Sequence, residues 1–156
     1  EIIDKTIGYV DEKRSEIKVG IIDDAQYIMA NEFMRRAKEK GYEKFTEIGE
    51  HYWKIIWHCN LTRSDMIWFI LSHVEVNEYG QMKAKTIGKM LDDKICIEGM
   101  FTIVLNTLVD DGKYFFETQS NGKNTTKSPE GMFSELRIPN DLEYVRQQII
   151  KYETEE

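Results

Sequence analysis

Apolar residues along this chain form short uninterrupted runs separated by stretches with helical spacing. Residues 19–22 form one compact β-branched run, and residues 66–71 form a second. Short runs without polar interruption are typical of strands covered on both faces, as in a parallel sheet. Between them, apolar positions recur every three to four residues over 31–40 and 43–58, which predicts two helices. This order of elements predicts an α/β fold.

The second half of the chain has a different pattern. Residues 102–109 and 114–118 are rich in β-formers and flank an Asp-Gly turn, which predicts a β-hairpin. Residues 79–89, rich in glycine and lysine, are predicted to form a loop or short helix. A final helix is predicted over residues 141–152, with Asn140 as its N-cap.

Composition limits the class of protein. A chain of 156 residues can bury a core of its own, and we expect one domain over residues 1–156. The net charge of −7 argues against a surface dedicated to nucleic acid or anionic membrane, although it is compatible with a local basic patch. Two distant cysteines favour reduced thiols, and no apolar run approaches the roughly 20 residues that span a bilayer. We therefore expect a soluble, cytoplasmic protein without a membrane partner.

The first apolar run ends in two adjacent acids, Asp23 and Asp24. In nucleotide hydrolases, an acid at the end of a buried strand holds magnesium beside the phosphates, and a second acid polarises the attacking water. Adjacent acids suit this division of work because one faces the metal while the next projects towards the γ-phosphate. The structural alternative is an acidic turn that simply ends a strand.

The second apolar run ends in Ser72 and His73, and a lysine-containing loop follows it. Either polar side chain can hydrogen-bond a phosphate or an attacking water. Lys83, Lys85 and Lys89 can stabilise transition-state charge across a subunit boundary or contact a DNA backbone. The alternatives are a polar strand end and a solvated loop.

The order of these features resembles that of a known family. The stretch that includes both acids, IIDDAQYIMANEFM (residues 21–34), resembles the Walker B region of bacteriophage ATP-binding proteins. KTIGK (residues 85–89) and SPEGMF (residues 128–133) resemble the same family. These are RecA-like P-loop ATPases, some of them associated with single-strand annealing and recombination. The resemblance implies a RecA-like P-loop NTPase core, with a mostly parallel sheet flanked by helices and a C-terminal β-hairpin.

The resemblance also implies roles for individual residues, with ATP and Mg²⁺ as cofactors. Asp23 would hold the magnesium ion and Asp24 would activate the attacking water. Ser72 or His73 would sense the phosphate, and Lys83 or Lys85 would lie in the loop that faces a neighbouring subunit or DNA.

The polar loop of residues 121–129 would approach the nucleotide base or ribose through Lys123 and Thr125; the alternative is a polar segment that simply leaves the hairpin. The sequence contains no Gly-x-x-x-x-Gly-Lys-[Ser/Thr] and does not begin with methionine. We therefore expect the N-terminal phosphate-binding segment to be missing, and we expect this chain to bind ATP poorly or not at all.

The resulting hypothesis is the ATPase core of a phage DNA-recombination or single-strand-annealing protein in the host cytoplasm. Its partners would be a nucleotide, single-stranded DNA and further copies of the chain. The alternatives are a non-enzymatic assembly or DNA-recombination accessory domain, and a magnesium-dependent nuclease that uses Asp23, Asp24 and a lysine. The ATPase hypothesis requires Asp23 and Ser72 to lie at the same edge of neighbouring parallel strands.

Overall fold

The structure is a computed structural model that describes residues 2–88 and 90–155. Its α-helices are α1 (Ile2–Lys13), α2 (Gln26–Arg35), α3 (Glu43–Asn60) and α4 (Leu142–Glu155). Its strands are β1 (Val19–Ile22), β2 (Ile67–Ile70), β3 (Val74–Val76), β4 (Met82–Ala84), β5 (Asn106–Asp110), β6 (Lys113–Glu117) and β7 (Arg137–Pro139). A π-helical turn (Met90–Lys94) and a 3₁₀ turn (Ile97–Met100) lie between β4 and β5.

The chain divides into two compact units. The first comprises the residues up to Val74 together with Ala84–Met100, and the second comprises Glu75–Lys83 together with the residues from Phe101 onward. The prediction of a single domain concerns how the two units behave together, and it stays a prediction.

The first unit is built on a parallel pair of strands. β1 and β2 pair in register from Val19 opposite Ile67 to Ile22 opposite Ile70, with α2 and α3 in the connection. Parallel strands require such a long crossover because the chain must return to the starting edge. One core cluster of this unit consists of Ile7, Ile55 and Cys59, against which Ile3, Ile22, Ile28, Trp68 and Ile70 pack. The strand ends are therefore held by helices α1 and α3.

A close contact between β1 and β2 depends on a glycine. Gly20 is paired with Trp68 across the strands, and the indole ring occupies the space beside its α-carbon. The ring is fixed from the other side because Trp68 Nε1–H donates a hydrogen bond to Thr62 Oγ1 at 3.0 Å. A side chain at position 20 would collide with this ring.

The second unit contains the antiparallel sheet β5-β6-β7. The predicted hairpin is present, and its turn has positive φ at both Asp111 (47°) and Gly112 (71°), as a type I′ turn requires. Phe116, Ile138 and Val145 are among the buried residues of this unit.

The N-cap predicted for the last helix was one residue early. Asp141, rather than Asn140, caps α4, because its Oδ1 accepts hydrogen bonds from the main-chain N–H groups of Glu143 (2.8 Å) and Tyr144 (3.3 Å). Aspartate and asparagine are both good N-caps, so adjacent candidates cannot be separated by residue type alone.

The predicted RecA-like core with a mostly parallel sheet is wrong. The described residues form a small α+β protein, with sheets of two or three strands each. Parallel pairing requires a crossover of a dozen or more residues, and the connection from β1 to β2 provides one. The turns that join β3 to β4 and β5 to β6 are short, and β5, β6 and β7 pair antiparallel.

Several predicted boundaries also differ from the structure. The helix predicted over residues 31–40 begins at Gln26 and ends at Arg35. The segment predicted as a loop or short helix over residues 79–89 contains β4. Asn77 stabilises the turn before β4, because its Oδ1 accepts the main-chain N–H groups of Tyr79 and Gln81. In the part of the chain that the structure describes, no helix has both the length and the apolar character needed to cross a bilayer.

Candidate functional site

The two acids after β1 lie in a tight turn that is tied to the end of β2. Asp23 and Asp24 are both exposed. Leu71 N–H donates to Ile22 O (2.9 Å), and Ala25 N–H donates to Leu71 O (2.8 Å). The turn requires a φ of 52° at Asp24, a left-handed conformation that few residues other than glycine adopt. Such backbone conformations cluster at functional sites, which makes this turn a candidate.

His73 follows β2 and reaches the acid turn. Its Nε2 lies 3.1 Å from Asp24 Oδ1, while about three fifths of the His73 side chain and half of the Asp24 side chain remain exposed. The ring of Tyr27 approaches His73 edge-on, with ring centroids 6.4 Å apart. A contact this exposed contributes little to stability, so its main effect is to orient the two groups.

Gln26, the first residue of α2, lies buried between the two strand ends. Its Oε1 accepts hydrogen bonds from Ser72 Oγ (3.2 Å) and from the main-chain N–H of His73 (3.1 Å). Its Nε2 donates to Asp24 Oδ1 over 3.4 Å, which is long for a hydrogen bond. The side chain therefore links the acid turn to the end of β2. Asp23, Asp24, Gln26, Ser72 and His73 are called the strand-end cluster below.

The role of Gln26 was missed from the sequence because the helix was predicted to begin five residues later. Ala25, Ile28 and Met29 have the three-to-four spacing of an inner helical face. Extending the helix back over these residues places Gln26 in its first turn, beside the same buried stripe. That spacing was the available signal.

Tyr52 is a deeply buried titratable residue of the first unit. This residue of α3 is only 2% exposed. Burial raises the pKa of Tyr52 to about 12, and the negative charge of Glu98 acts in the same direction. Tyr52 therefore remains a neutral phenol at physiological pH.

The predicted lysines lie in different places. Lys85 is adjacent to the cluster, because its main-chain N–H donates to His73 O at 2.9 Å and its side chain is exposed. Lys83 belongs to the second unit, where it forms an ion pair with Glu75 at 3.2 Å. Lys89 lies outside the described residues.

The two residues predicted to approach the nucleotide base or ribose lie in the second unit. Lys123 is exposed, and its main-chain carbonyl accepts the N–H of Met82 at 2.7 Å. Thr125 is half-buried two residues later. The structure brings Asp23, Asp24, Ser72 and His73 together in the first unit, with Lys85 beside them. The roles of Lys123 and Thr125 stay predictions.

The chemistry of the cluster fits one kind of metal binding. Among the residues that the structure describes, no group of three or more His, Cys, Asp or Glu side chains is arranged to enclose an ion. Magnesium does not require such a cage, because it is commonly held by one or two carboxylates together with water and substrate phosphates. Asp23 is suited to this mode, since it is exposed and next to the Asp24–His73 pair.

Comparison with protein-family models, with curated proteins and with solved structures finds no match to this chain. The resemblance to phage ATP-binding proteins therefore stays a prediction from the sequence, and the strand-end cluster is interpreted from its own geometry.

Proposed function

We propose that the strand-end cluster is the magnesium-binding part of a nucleoside-triphosphate hydrolysis site. In this proposal, Asp23 holds a magnesium ion that is bound to the nucleotide, and Asp24 orients the attacking water. His73 and Ser72 hydrogen-bond the phosphate or that water, and Lys85 adds positive charge beside them.

The observation that carries this proposal is the shared edge of β1 and β2. Because the strands are parallel and in register, Asp23 and Asp24 emerge at the same edge as Ser72 and His73. Sheets of parallel strands bind ligands outside the carboxyl ends of their strands. The same-edge condition is met although the sheet has only two strands, so the proposal depends on this local unit and not on a RecA-like core.

The contacts of Asp24 favour a water-orienting role over a second metal-ligand role. Its Oδ1 already faces His73 Nε2 and Gln26 Nε2, while its other carboxylate oxygen has room to accept a hydrogen bond from water. The carboxylate of Asp23 is exposed. Each acid thus has a separate task, and an N–H group of His73 can donate a hydrogen bond to negative charge that develops near Asp24.

The sequence contains no glycine-rich phosphate loop. Contacts through the magnesium ion must therefore provide most of the affinity of this chain for ATP. We therefore expect weak, magnesium-dependent binding of ATP. A role in phage recombination or annealing, with single-stranded DNA and further copies of the chain as partners, is proposed from the family resemblance alone.

The test is a nuclear magnetic resonance titration with Mn²⁺, which favours the same oxygen ligands as Mg²⁺ and broadens signals from nearby nuclei. With ATP present, Mn²⁺ should broaden the amide signals of Asp23, Asp24 and His73 first. Asp23→Asn should weaken this effect by about tenfold, corresponding to about 1.4 kcal/mol. Asp111→Asn is the matched control, because it removes the same charge from another exposed turn with positive φ.

Equal broadening in the wild type and Asp23→Asn would contradict the proposal, as would broadening that begins elsewhere on this acidic chain. If ATP does not change the Mn²⁺ titration, the chain is better described as a non-enzymatic accessory domain.

A further inference from the structure

Gln26 makes contacts that neither a carboxylate nor an apolar side chain of similar size can reproduce. Its amide oxygen accepts from Ser72 Oγ and from His73 N–H, while its amide nitrogen donates to Asp24. A glutamate at this position has no donor when ionised, and a methionine has neither a donor nor a good acceptor. The residue is only 6% exposed, so its own amide is shielded from bulk water.

Without Gln26, few contacts would orient the Asp24 carboxylate and His73. Asp24 and His73 are each more than half exposed, and such pairs gain little from their attraction in water. Main-chain hydrogen bonds tie the strand ends together, but they do not orient the Asp24 carboxylate. The buried amide contacts that carboxylate and the main chain of His73 at once. It therefore restricts both partners of the exposed pair from the protein side.

We propose that Gln26 is the positioning residue of the strand-end cluster, and that it holds the Asp24 carboxylate against His73 Nε2. The consequence for water orientation rests on the proposed function, whereas the coupling of Asp24 to His73 through Gln26 is a property of the chain alone.

The test is a double-substitution experiment read at the His73 ring without nucleotide. The ¹⁵N signal of His73 Nε2 is recorded at about pH 8.5, where histidines are ordinarily neutral. Asp24→Asn removes the carboxylate and should move this signal. If Gln26 positions Asp24, the same substitution in a Gln26→Met background should move it by less than half as much.

Gln147→Met is the matched control, because Gln147 Nε2 also donates to a carboxylate, that of Glu143, at 3.1 Å. In this background, Asp24→Asn should have its full effect on His73. Amide hydrogen exchange then separates positioning from unfolding. Gln26→Met should accelerate exchange at His73 by about tenfold or more and leave Ala25 protected, since Ala25 N–H bonds to Leu71 O.

An equal effect of Asp24→Asn in the wild-type and Gln26→Met backgrounds overturns the proposal. If Gln26→Met also exposes the Ala25 amide, Gln26→Glu replaces it, because this variant keeps the acceptor oxygen and removes the donor. Loss of coupling in Gln26→Glu supports the proposal, and retained coupling overturns it. Coupling without any Mn²⁺·ATP effect in the wild type supports the role of Gln26 and contradicts the proposed function. Mn²⁺·ATP binding without coupling supports the proposed function and contradicts the role of Gln26.

Discussion

Gly20→Ala should destabilise the first unit much more than a methyl group normally does. A β-carbon at this position would have three carbons of the Trp68 ring as its nearest neighbours, the farthest only 2.7 Å away. Carbon atoms that are not bonded pack at about 3.5–4.0 Å, so the indole must move. It is held by its hydrogen bond to Thr62 and by packing against the cluster of Ile7, Ile55 and Cys59.

The expected cost is about 2–3 kcal/mol, the upper part of the range for overpacked cores. Urea unfolding followed by tryptophan fluorescence measures it, because Trp53, Trp57 and Trp68 all belong to the first unit. The matched control is Gly8→Ala in α1, where the new β-carbon would lie 3.5 Å from His58 Cε1 in ordinary contact. Helix propensity predicts that this control gains up to about 1 kcal/mol.

Opposite signs for these two glycine-to-alanine substitutions are the central expectation. A Trp68→Val background should remove most of the Gly20→Ala cost, because the obstructing ring is absent. If Gly20→Ala is as stable as the wild type, or if its cost is the same without the indole, the contact between β1 and β2 is not the one described.

Three further predictions concern other parts of the molecule. Tyr52 has a folded-state pKa of about 12 against 10.0 for the free group, so its stabilisation is complete below about pH 10 and is lost towards pH 12. The stability difference between wild type and Tyr52→Phe should therefore fall by roughly 2 kcal/mol over that interval. Titration of Cys59 contributes equally to both proteins and cancels in this difference. A difference that stays constant with pH would contradict the prediction. Asp111→Ala should cost about 1 kcal/mol in urea unfolding because of its positive φ, whereas Asp111→Gly should not; equal stabilities would refute the strain. Arg63→Lys should cost about 1–2 kcal/mol, since Nη1 of the guanidinium donates to Val10 O while Nη2 donates to Arg14 O, and an ammonium cannot reproduce this fork of two nitrogens; an unchanged urea midpoint would argue against it.

Local patterns in the sequence were enough to find several elements. The apolar run at residues 19–22 is a strand with the predicted boundaries, and the Asp-Gly turn joins β5 to β6 as expected. The helix predicted over residues 43–58 is α3, which ends only two residues later. In each case the residues that define the element are neighbours in sequence, so spacing and turn chemistry suffice.

The elements that were missed depend on distant or unusual contacts. α2 begins after a residue with positive φ and has no side-chain cap at Ala25, so its start carries no capping signal. β4 has little β-propensity and is held by a turn that Asn77 organises. The number of strands in each sheet depends on partners far along the chain, which is why an apolar run alone suggested a larger parallel sheet.

The candidate site was predictable in part for the same reason. Parallel strands bring their carboxyl ends together, so the sequence sufficed to place Asp23 and Asp24 near Ser72 and His73. The contact of His73 with Asp24, and the buried amide of Gln26 between them, depend on side-chain directions that spacing does not determine.

The register of β1 and β2 also has a consequence for the order of folding. Val19 must find Ile67 across a connection that contains both α2 and α3, so this pairing is a long-range event in the first unit. Contacts between residues distant in sequence form slowly, because the entropy cost of closing the intervening loop precedes the stabilisation that the contacts provide. Helices α2 and α3 can form from local contacts, but the strand-end cluster exists only after β1 and β2 have met. Its assembly should therefore follow the formation of these two helices.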